Sequence, residues 1–293
     1  MKEHHFGPIW FIPGENRGKY PYCHSIYIDG PGILIDPASD RNRLKDLKTA
    51  PGVKAVWLSH WHEDHFLHLD LFDDVPLLIA EADAPHLSNI DAFLDGYGIE
   101  TQDRDMWRNL AVDMFHFRPR QPDQFIIAGE FIKSESLQVD VLSAPGHTPG
   151  SIALHFPNQD VLFMGDYDLT PFGPWYGDVE SSIHQTIESV KMLRECQATI
   201  VLTSHEQGIF ESPPDEIWDH YVNVIHEREG KLLNLLSIPH TMEMIVNNWI
   251  VYRKPRDPLP FYAFAEKALM RKHLEDLMGR GLVAEEDGRY IRL

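Results

Sequence analysis

The sequence of 293 residues predicts a mixed α/β fold in which a large sheet-containing domain is followed by a small helical one. Short segments rich in Ile and Val, bounded by Gly, Pro or Asp, recur over the first two thirds of the chain, which is typical of strands and turns. Helical spacing of apolar residues dominates the remainder, up to a final hairpin signal. Because this length suits one large domain plus a small one, we predict domains over 1–212 and 213–293.

The first elements are predicted in the order strand, strand, helix, strand. The strands are SIYIDG, GILIDP and VKAVWLSH, and RNRLKDLKTA has the apolar spacing of a helix. After PLLIAEADAPH, the segment from about residue 87 to 124 carries aspartates and aromatic residues without a clean period. We therefore expect this segment to be an insertion outside the core, placed to form a lid.

Regular strands resume with QFIIAGE, SLQVDVLSAPG, SIALHFP and DVLFMGD, after which the amphipathic helix SSIHQTIESVKMLREC leads into the strand ATIVLTSH. Two further helices are predicted in PPDEIWDHYVNVIHEREGKLLNLL and FAEKALMRKHLEDLMGRG. The last segment, LVAEEDGRYIRL, indicates a hairpin because Asp287-Gly288 favours a two-residue turn. Helices followed by a hairpin predict a small winged-helix-like domain.

Composition and charge exclude several classes of function. The formal net charge of −19 repels phosphate backbones on average, although the segment from Tyr252 onwards has nine basic against seven acidic residues. No apolar run approaches the roughly 18 residues that span a bilayer, and the N-terminus lacks a secretory pattern, so we expect a cytoplasmic protein without a membrane partner. The two distant cysteines, Cys23 and Cys196, are expected to be buried free thiols.

The segment SHWHEDH, residues 59–65, concentrates three histidines and two carboxylates where the apolar run VKAVWLS ends. Loops at strand ends commonly carry ligands on a rigid scaffold. Residues i and i+2 of an extended chain point the same way, so His60 and His62 can bind one ion. Asp64 and His65 are placed to reach a second ion. The alternative is a solvated loop in a chain with 17 histidines.

Three later strand ends favour the metal interpretation. APGHTPGS, residues 144–151, holds His147 between glycines and prolines, in a rigid loop where the backbone can approach an ion closely. Asp166 follows the strand in FMGDYD, and His205 follows the strand in LTSHEQG. Imidazole suits zinc and iron, and a carboxylate shared by two cations offsets their repulsion.

These motifs, in this order after an ILIDP strand, resemble the metallo-β-lactamase superfamily over roughly residues 20–210. The C-terminal run, about residues 216–293, is similar to the winged-helix-like tail of β-lactamase-like hydrolases related to glyoxalase II, some of which are endoribonucleases. The resemblance implies a four-layer αβ/βα sandwich with a two-metal site along one edge. It assigns His60, His62 and His147 to the first metal, Asp64, His65 and His205 to the second, and Asp166 to both.

The sequence departs from the family pattern at two places near the proposed ligands. Phe66 and Leu67 occupy positions where family members usually have two glycines, which predicts a differently shaped cleft floor. Glu206 follows the last ligand histidine, where the family usually has a glycine, and this raises the question of the loop's conformation.

The chemistry expected of such a site is hydrolysis with two divalent ions, zinc first and iron or manganese as alternatives. A hydroxide bridging the two metals would attack an ester, thioester or lactone, and Asp64 would accept and return the proton. Tyr167 or Tyr176 would donate a hydrogen bond to the developing oxyanion, unless these rings only pack a turn against the sheet. Asp36 is expected to orient a ligand histidine rather than bind metal.

Other functions remain open for this constellation. A metal-dependent endoribonuclease or phosphodiesterase would use the same ions, with the C-terminal domain contacting RNA. A non-heme iron oxygenase would use only the first metal site, and a non-catalytic binding protein would be expected to have lost ligands. We expect a small-molecule substrate. The C-terminal domain is expected to cover the sandwich edge, to mediate a homodimer or to contact nucleic acid.

Overall fold

A computed structural model describes residues 1–133 and 137–293. Two mixed sheets face each other in this described part of the chain. The first sheet contains, in spatial order, β1 (His4–Phe6), β2 (Ile9–Ile12), β3 (Ser25–Ile28), β4 (Ile33–Ile35), β5 (Ala55–Trp57), β6 (Leu77–Ala80) and β7 (Gln124–Ile126). The second contains β8 (Phe131–Lys133), β9 (Gln138–Ser143), β10 (Ile152–Phe156), β11 (Val161–Phe163), β12 (Ile200–Leu202) and β13 (Ile209–Glu211).

Helices cover the sheets and form the C-terminal part. They are α1 (Arg41–Leu47), α2 (Pro85–Ser88), α3 (Ile90–Tyr97), α4 (Arg104–Asp113), α5 (Ile183–Glu195), α6 (Asp215–Leu235), α7 (Met242–Val246) and α8 (Leu259–Gly279). A terminal hairpin joins β14 (Val283–Glu286) to β15 (Arg289–Arg292). Short helical turns lie at Glu15–Gly18, Lys48–Gly52 and Leu69–Phe72. The predicted strand SLQVDVLSAPG forms β9, although its first residue lies outside the described residues.

The alternation of side chains along the strands produces the four layers. In β3, Ile26 and Ile28 join the core between the sheets, whereas Tyr27 faces the helices outside the first sheet. In β11, Phe163 likewise points between the sheets and Leu162 points toward α5 and α6. Successive residues of a strand point to opposite faces, so strands apolar at every position need cover on both sides. The predicted four-layer α/β sandwich is confirmed.

Parallel pairing brings the chemistry-bearing loops to one edge. Strand β4 is parallel to β5, and β11 is parallel to β12, so the carboxyl ends within each pair lie together. Backbone hydrogen bonds then join the loops of the two sheets, because the Ile152 amide donates to the Ser59 carbonyl at 3.0 Å and the His24 amide donates to the Ser204 carbonyl at 2.8 Å. The sandwich therefore presents several strand ends along one rim.

The C-terminal part packs against the sandwich rather than standing apart from it. Trp218 and Tyr221 of α6 belong to the core outside the second sheet, while Leu232 of the same helix packs with Leu269 of α8. The two-residue hairpin turn is present, with positive φ at Asp287 and at Gly288. The order of helices and hairpin agrees with the sequence, whereas the winged-helix resemblance and the boundary at residue 213 stay predictions.

The expectation that residues 87–124 lie outside the core is wrong. The segment contains α3 and α4, and Phe93, Trp107 and Phe115 belong to the same buried cluster as Trp61 of the histidine loop. Phe93 contacts Trp61 and Phe117 at ring-centroid distances of 5.6 and 5.1 Å. The helices are short, so their periodicity is weak in the sequence, and packing on the sheet stabilises them instead. Whether they also close over the site stays a prediction.

Other expectations need smaller changes. Strands β1 and β2 at the N-terminus were not predicted, although Ile9 and Phe11 of β2 are buried in the core between the sheets. Cys23 is buried as expected, whereas Cys196 is only half-buried. Among the described residues, no helix is long and apolar enough to cross a membrane.

The packing of α3 on the core gives a stability prediction. We expect Phe93→Ala to lower the free energy of unfolding by about 3–5 kcal/mol, because it leaves a cavity among aromatic rings. The control Val112→Ala, on α4 and 47% exposed, is expected to change it by less than about 0.5 kcal/mol. Chemical denaturation measures both, and similar small effects for the two variants would contradict the assignment of α3 to the core.

Candidate metal centre

The seven side chains predicted as ligands meet at the rim of the sandwich. His60, His62, Asp64 and His65 follow β5, His147 lies between β9 and β10, Asp166 follows β11, and His205 follows β12. Six of them are buried, and Asp166 is nearly so. Two groups result, each with ligand atoms within 4.8 Å of one another: His60, His62, His147 and Asp166 in one, and Asp64, His65 and His205 in the other.

The first group is a triangle of imidazole nitrogens. The His60 Nε2 lies 3.0 Å from the His62 Nδ1, and the His147 Nε2 lies 3.0 Å from each of them. The three ring nitrogens therefore surround a single point between the rings. Neutral imidazole is the commonest metal ligand, so this triangle is able to hold a metal ion.

Asp166 connects the first group to the second. Its Oδ2 lies 3.4 Å from the His147 Nε2, whereas its Oδ1 lies 2.9 Å from the His65 Nε2 and 3.3 Å from the His205 Nε2. The second group is completed by Asp64, whose Oδ2 lies 3.4 Å from the His205 Nε2. One carboxylate oxygen therefore faces each group, which is the arrangement that the sequence resemblance implied for a bridging residue.

Hydrogen bonds fix the outer nitrogen of every histidine ring in the two groups. These outer contacts are His60 Nδ1 to Ser59 Oγ at 3.0 Å, His62 Nε2 to Asp178 Oδ2 at 2.7 Å, His65 Nδ1 to Asp36 Oδ2 at 2.9 Å, His147 Nδ1 to the Trp175 carbonyl at 3.0 Å, and His205 Nδ1 to the Gly18 carbonyl at 2.6 Å. A ring that donates its proton outward keeps a lone pair on the inner nitrogen.

Buried polar atoms without partners test whether a cation fits. The His65 Nε2 and the Asp166 Oδ1 are buried and have no hydrogen-bond partner in the described part of the chain, although they lie 2.9 Å apart. Leaving such groups unpaired costs free energy unless another species satisfies them. A divalent cation would accept electron pairs from both, so the residues fit a metal.

The pKa shifts also reflect a site that attracts positive charge. Burial alone would disfavour a charged ring, yet the carboxylate of Asp166 raises the pKa of His205 to about 10. Burial likewise opposes charge on His62, but Asp178 raises its pKa to about 9. In contrast, burial and the charge of His62 lower the pKa of His147 to about 4. Without a metal, the carboxylates therefore favour the protonated forms of His62 and His205. A bound cation would supply this positive charge instead.

Two glycines explain the conformation of the loop that carries His147. A Cβ at Gly146, which has φ +129°, would lie 2.2 Å from the Thr186 amide nitrogen, and a Cβ at Gly150 would lie 2.6 Å from the carboxylate of Asp83. Asp83 is buried and accepts hydrogen bonds from the Gly150 amide and the Thr148 hydroxyl, both at 2.7 Å. Hydrogen bonds to the buried Asp83 carboxylate therefore hold the loop that carries His147.

The two departures from the family pattern are accommodated locally. Phe66 and Leu67 are buried in the cluster beneath α3 and α4, so their side chains pack in the core. Glu206 takes a positive φ of 54°, the left-handed conformation that a glycine would adopt more readily. His205 consequently keeps its place beside Asp64 and Asp166.

Tyr167 and Tyr176 do not line the cavity described below. The Tyr167 hydroxyl donates to the Ala144 and Pro145 carbonyls at 2.9 Å, and the Tyr176 hydroxyl contacts Arg228 and His273. Burial raises the pKa of both phenols. Neither hydroxyl is therefore placed to donate to a substrate in that cavity, and the contacts favour the alternative that both rings pack within the protein. Asp36, by contrast, contacts His65 as predicted.

The sequence did not reveal Asp178, which lies in the irregular segment between β11 and α5. Its Oδ2 accepts from His62 at 2.7 Å and its Oδ1 accepts from the Trp175 indole at 3.0 Å.

A third group of side chains, His68, Asp70 and His116, also brings potential ligand atoms together. The Arg41 guanidinium already pairs with Asp70 and contacts His68 there, so a cation would meet a positive charge.

A cavity of about 780 Å³ opens beside the metal centre. Five of the predicted ligands line it, namely His62, Asp64, His147, Asp166 and His205. Residues of the C-terminal part also line it, among them Tyr252, Arg253 and Arg256. Ligand pockets commonly measure about 300–1,000 Å³ and carry a few polar groups among apolar walls. The cavity therefore has the size of a small-molecule site.

The contact between His62 and Asp178 yields a prediction on metal affinity. We expect Asp178→Asn to weaken metal binding by about 10–100-fold, because the carboxylate that fixes the ring is lost. Glu180→Gln, which changes an exposed carboxylate nearby, is the matched control. Competition with a chelating indicator measures both affinities. Equal affinities for the two variants would show that Asp178 does not orient His62.

Comparison with known proteins agrees with this geometry. The family model for the metallo-beta-lactamase superfamily matches residues 19–205. A hydroxyacylglutathione hydrolase from Jannaschia sp. is 25% identical over 186 residues, covering 59% of this chain and 60% of that protein. An acyl-coenzyme A thioesterase from Gallus gallus is 32% identical over 172 residues, covering 54% and 56%. The chain thus spans about 60% of the length of these relatives.

Solved structures extend the likeness of fold to the whole chain. A metallo-beta-lactamase family protein from Thermus thermophilus superposes with a TM-score of 0.71 at 20% identity, covering 98% of this chain and 99% of that one. A beta-lactamase domain protein from Burkholderia ambifaria gives a TM-score of 0.68 at 18% identity, covering 100% and 94%. With its ordered motifs, converging histidines and matching family model, the chain belongs to the metallo-beta-lactamase superfamily.

Proposed function

We propose that the protein is a thioester hydrolase that works with two divalent metal ions, zinc being the proposed native metal. The observation that carries this proposal is the position of Asp166, with one carboxylate oxygen toward each group of histidines. Two bound ions would lower the pKa of a water molecule toward neutrality and polarise the carbonyl of the substrate. Iron and manganese are alternatives, since the same nitrogen and oxygen donors accept them.

The reaction requires water to add to the thioester carbonyl while the carbon–sulfur bond breaks. One proton of the water has to leave as the carbon–oxygen bond forms, and it ends on the departing sulfur. We assign Asp64 to hold that proton, because its carboxylate lies in the second group, 3.4 Å from the His205 Nε2 through Oδ2, and also lines the cavity. Tyr97, whose ring stacks on His62, and Trp175 also line the cavity and would exclude bulk water from the acyl group.

Two considerations support a thioester over other acyl substrates. Relatives that match this chain are named for hydrolysis of thioesters, of hydroxyacylglutathione in one case and acyl-coenzyme A in the other. A thiol has a pKa of about 8.5, so a thiolate departs without a strong general acid. This accords with the placement of the Tyr167 and Tyr176 hydroxyls against other groups of the protein.

A metal-dependent phosphodiesterase, including an endoribonuclease, is the second candidate. It is favoured by the basic residues Lys231, Arg253 and Arg256, which line the cavity in a chain of net charge −19. Such an enzyme would bind its substrate less tightly as salt rises, because phosphate contacts release counterions. An iron oxygenase is less well supported, since the second ligand group is complete.

The proposal is tested with a panel of thioesters that share an acyl group and differ in the thiol. We expect thiol release by the metal-loaded protein, loss of release with a chelator, and recovery when zinc is returned. Asp64→Asn is expected to lower kcat by about 10²–10⁴-fold at saturating metal, since the amide cannot accept the proton. Asp105→Asn, an exposed change on α4, is the control.

Two outcomes would contradict this assignment. Unchanged kcat in a metal-loaded Asp64→Asn variant would remove Asp64 from proton transfer. Hydrolysis of a bis-nitrophenyl phosphate diester, with every thioester left intact, would favour the phosphodiesterase instead.

A further inference from the structure

Aromatic rings of the C-terminal part and of the loop before α5 form part of the cavity wall. The Tyr252 ring lies 5.0 Å from the Tyr262 ring and 5.5 Å from the Phe172 ring, measured between centroids. All three residues line the cavity, and Phe172 is 38% exposed. We call Phe172, Tyr252 and Tyr262 the aromatic shelf. Partly exposed rings of this kind offer a face on which a planar group can stack.

Basic side chains surround the aromatic shelf. Among the described residues, no acidic side chain forms an ion pair with Lys231, Arg253 or Arg256, although all three line the cavity. The Arg256 guanidinium lies over the Tyr252 and Tyr262 rings, 5.5 and 5.9 Å from their centroids. Acidic residues line the cavity too, among them Glu227 on the same helix as Lys231. In a chain with 45 acidic and 26 basic residues, cations that line a cavity without an ion-pair partner nevertheless favour an anionic ligand.

A buried carboxylate holds the backbone that presents this shelf. Glu266 of α8 is fully buried and accepts hydrogen bonds from the Val251 amide at 2.9 Å and the Tyr252 amide at 3.1 Å. On either side, Trp249 and Arg253 adopt positive φ angles of 50° and 66°. Non-glycine residues persist in this conformation only where the surroundings impose it, and such sites cluster at ligand clamps. The surrounding fold therefore imposes the backbone conformation that presents the aromatic shelf.

Beneath the shelf, Arg228 fixes the third ring. Its guanidinium lies 4.7 Å from the Phe172 ring centroid and donates to the Phe172 carbonyl at 2.6 Å. Arg228 is itself buried, and it also donates to the Pro174 carbonyl at 3.2 Å. These bonds connect α6 to the loop that follows Asp166, one of the proposed metal ligands.

We propose that the aromatic shelf and its cations form a subsite for a nucleotide, which enters as the distal portion of the thiol in the thioester substrate. The base would stack on the rings, and the phosphates would pair with Arg253, Arg256 and Lys231. The inference rests on the thioester hydrolase function proposed above. It selects nucleotide-bearing thioesters, of the coenzyme A type, over thioesters whose thiol is small or peptidic, because only the former carry a planar ring together with several negative charges.

The kinetic test compares two thioesters with the same acyl group and the same scissile bond, one of coenzyme A and one of pantetheine, which lacks the nucleotide. With the metal-loaded full chain we expect KM for the coenzyme A thioester to be lower by about tenfold or more, since each charge-assisted contact is lost with pantetheine. In the double variant Arg253→Gln/Arg256→Gln the ratio of the two KM values is expected to approach one. Arg292→Gln, an exposed basic residue outside the cavity, should leave the ratio unchanged.

A binding measurement separates this inference from the proposed function. Titration calorimetry with 3′-phospho-ADP, which has no thiol to bind metal, is expected to show binding that weakens about tenfold or more in the double variant and in Tyr262→Leu. If no thioester is hydrolysed but this pattern appears, the subsite stands and the hydrolase proposal fails. If thioesters are hydrolysed with equal KM values and 3′-phospho-ADP does not bind, the subsite is overturned alone. Tighter binding of a short oligoribonucleotide than of 3′-phospho-ADP would overturn it in favour of RNA.

Discussion

The outward hydrogen bonds of the five histidine rings determine the chemistry of the rim. A ring whose outer nitrogen is bonded to a carboxylate, to a carbonyl or, for His60, to the Ser59 hydroxyl presents an inner lone pair. Five such rings converge with Asp64 and Asp166. The outer partners come from segments far apart in the sequence, including the 3₁₀ turn at Glu15–Gly18 and the loop at Trp175. Each segment must be in place before the inner nitrogens can meet, so folding and metal binding are expected to be coupled.

This constraint also explains how charge is distributed over the cavity. Buried Asp36, Asp64 and Asp178 accumulate negative charge at the metal end, which bound cations would offset. The C-terminal part contributes Arg253 and Arg256 to the cavity lining, and neither has an ion pair within the described chain. With the proposed function, a substrate would place its carbonyl beside the histidines and an anionic group beside these cations. The C-terminal part would then supply binding energy, while the sandwich would supply the reacting groups.

The sequence predicts the ligands because each follows a strand whose apolar pattern is clear, and parallel strands carry their ends to one edge. The same reasoning does not predict the roles of Asp178 and Glu266. Asp178 lies in an irregular segment whose path no periodicity reveals, and Glu266 occupies a helix where an acidic residue ordinarily faces solvent. The error over residues 87–124 has a related cause, since Phe93 and Trp107 acquire their burial from contacts with distant parts of the chain. Tertiary packing, which local sequence patterns do not contain, determines the positions of Asp178, of Glu266 and of residues 87–124.

If the seven converging side chains hold two metal ions, as we propose, the metal content per chain will show it. Protein purified without added metal or chelator, analysed by plasma mass spectrometry against a protein concentration from amino-acid analysis, is predicted to contain about two ions of zinc, manganese or iron. About one ion after reconstitution with Asp166→Ala would support the bridging role of that residue. About one iron in the wild type would favour oxygenase chemistry, and no metal even after reconstitution would contradict the account.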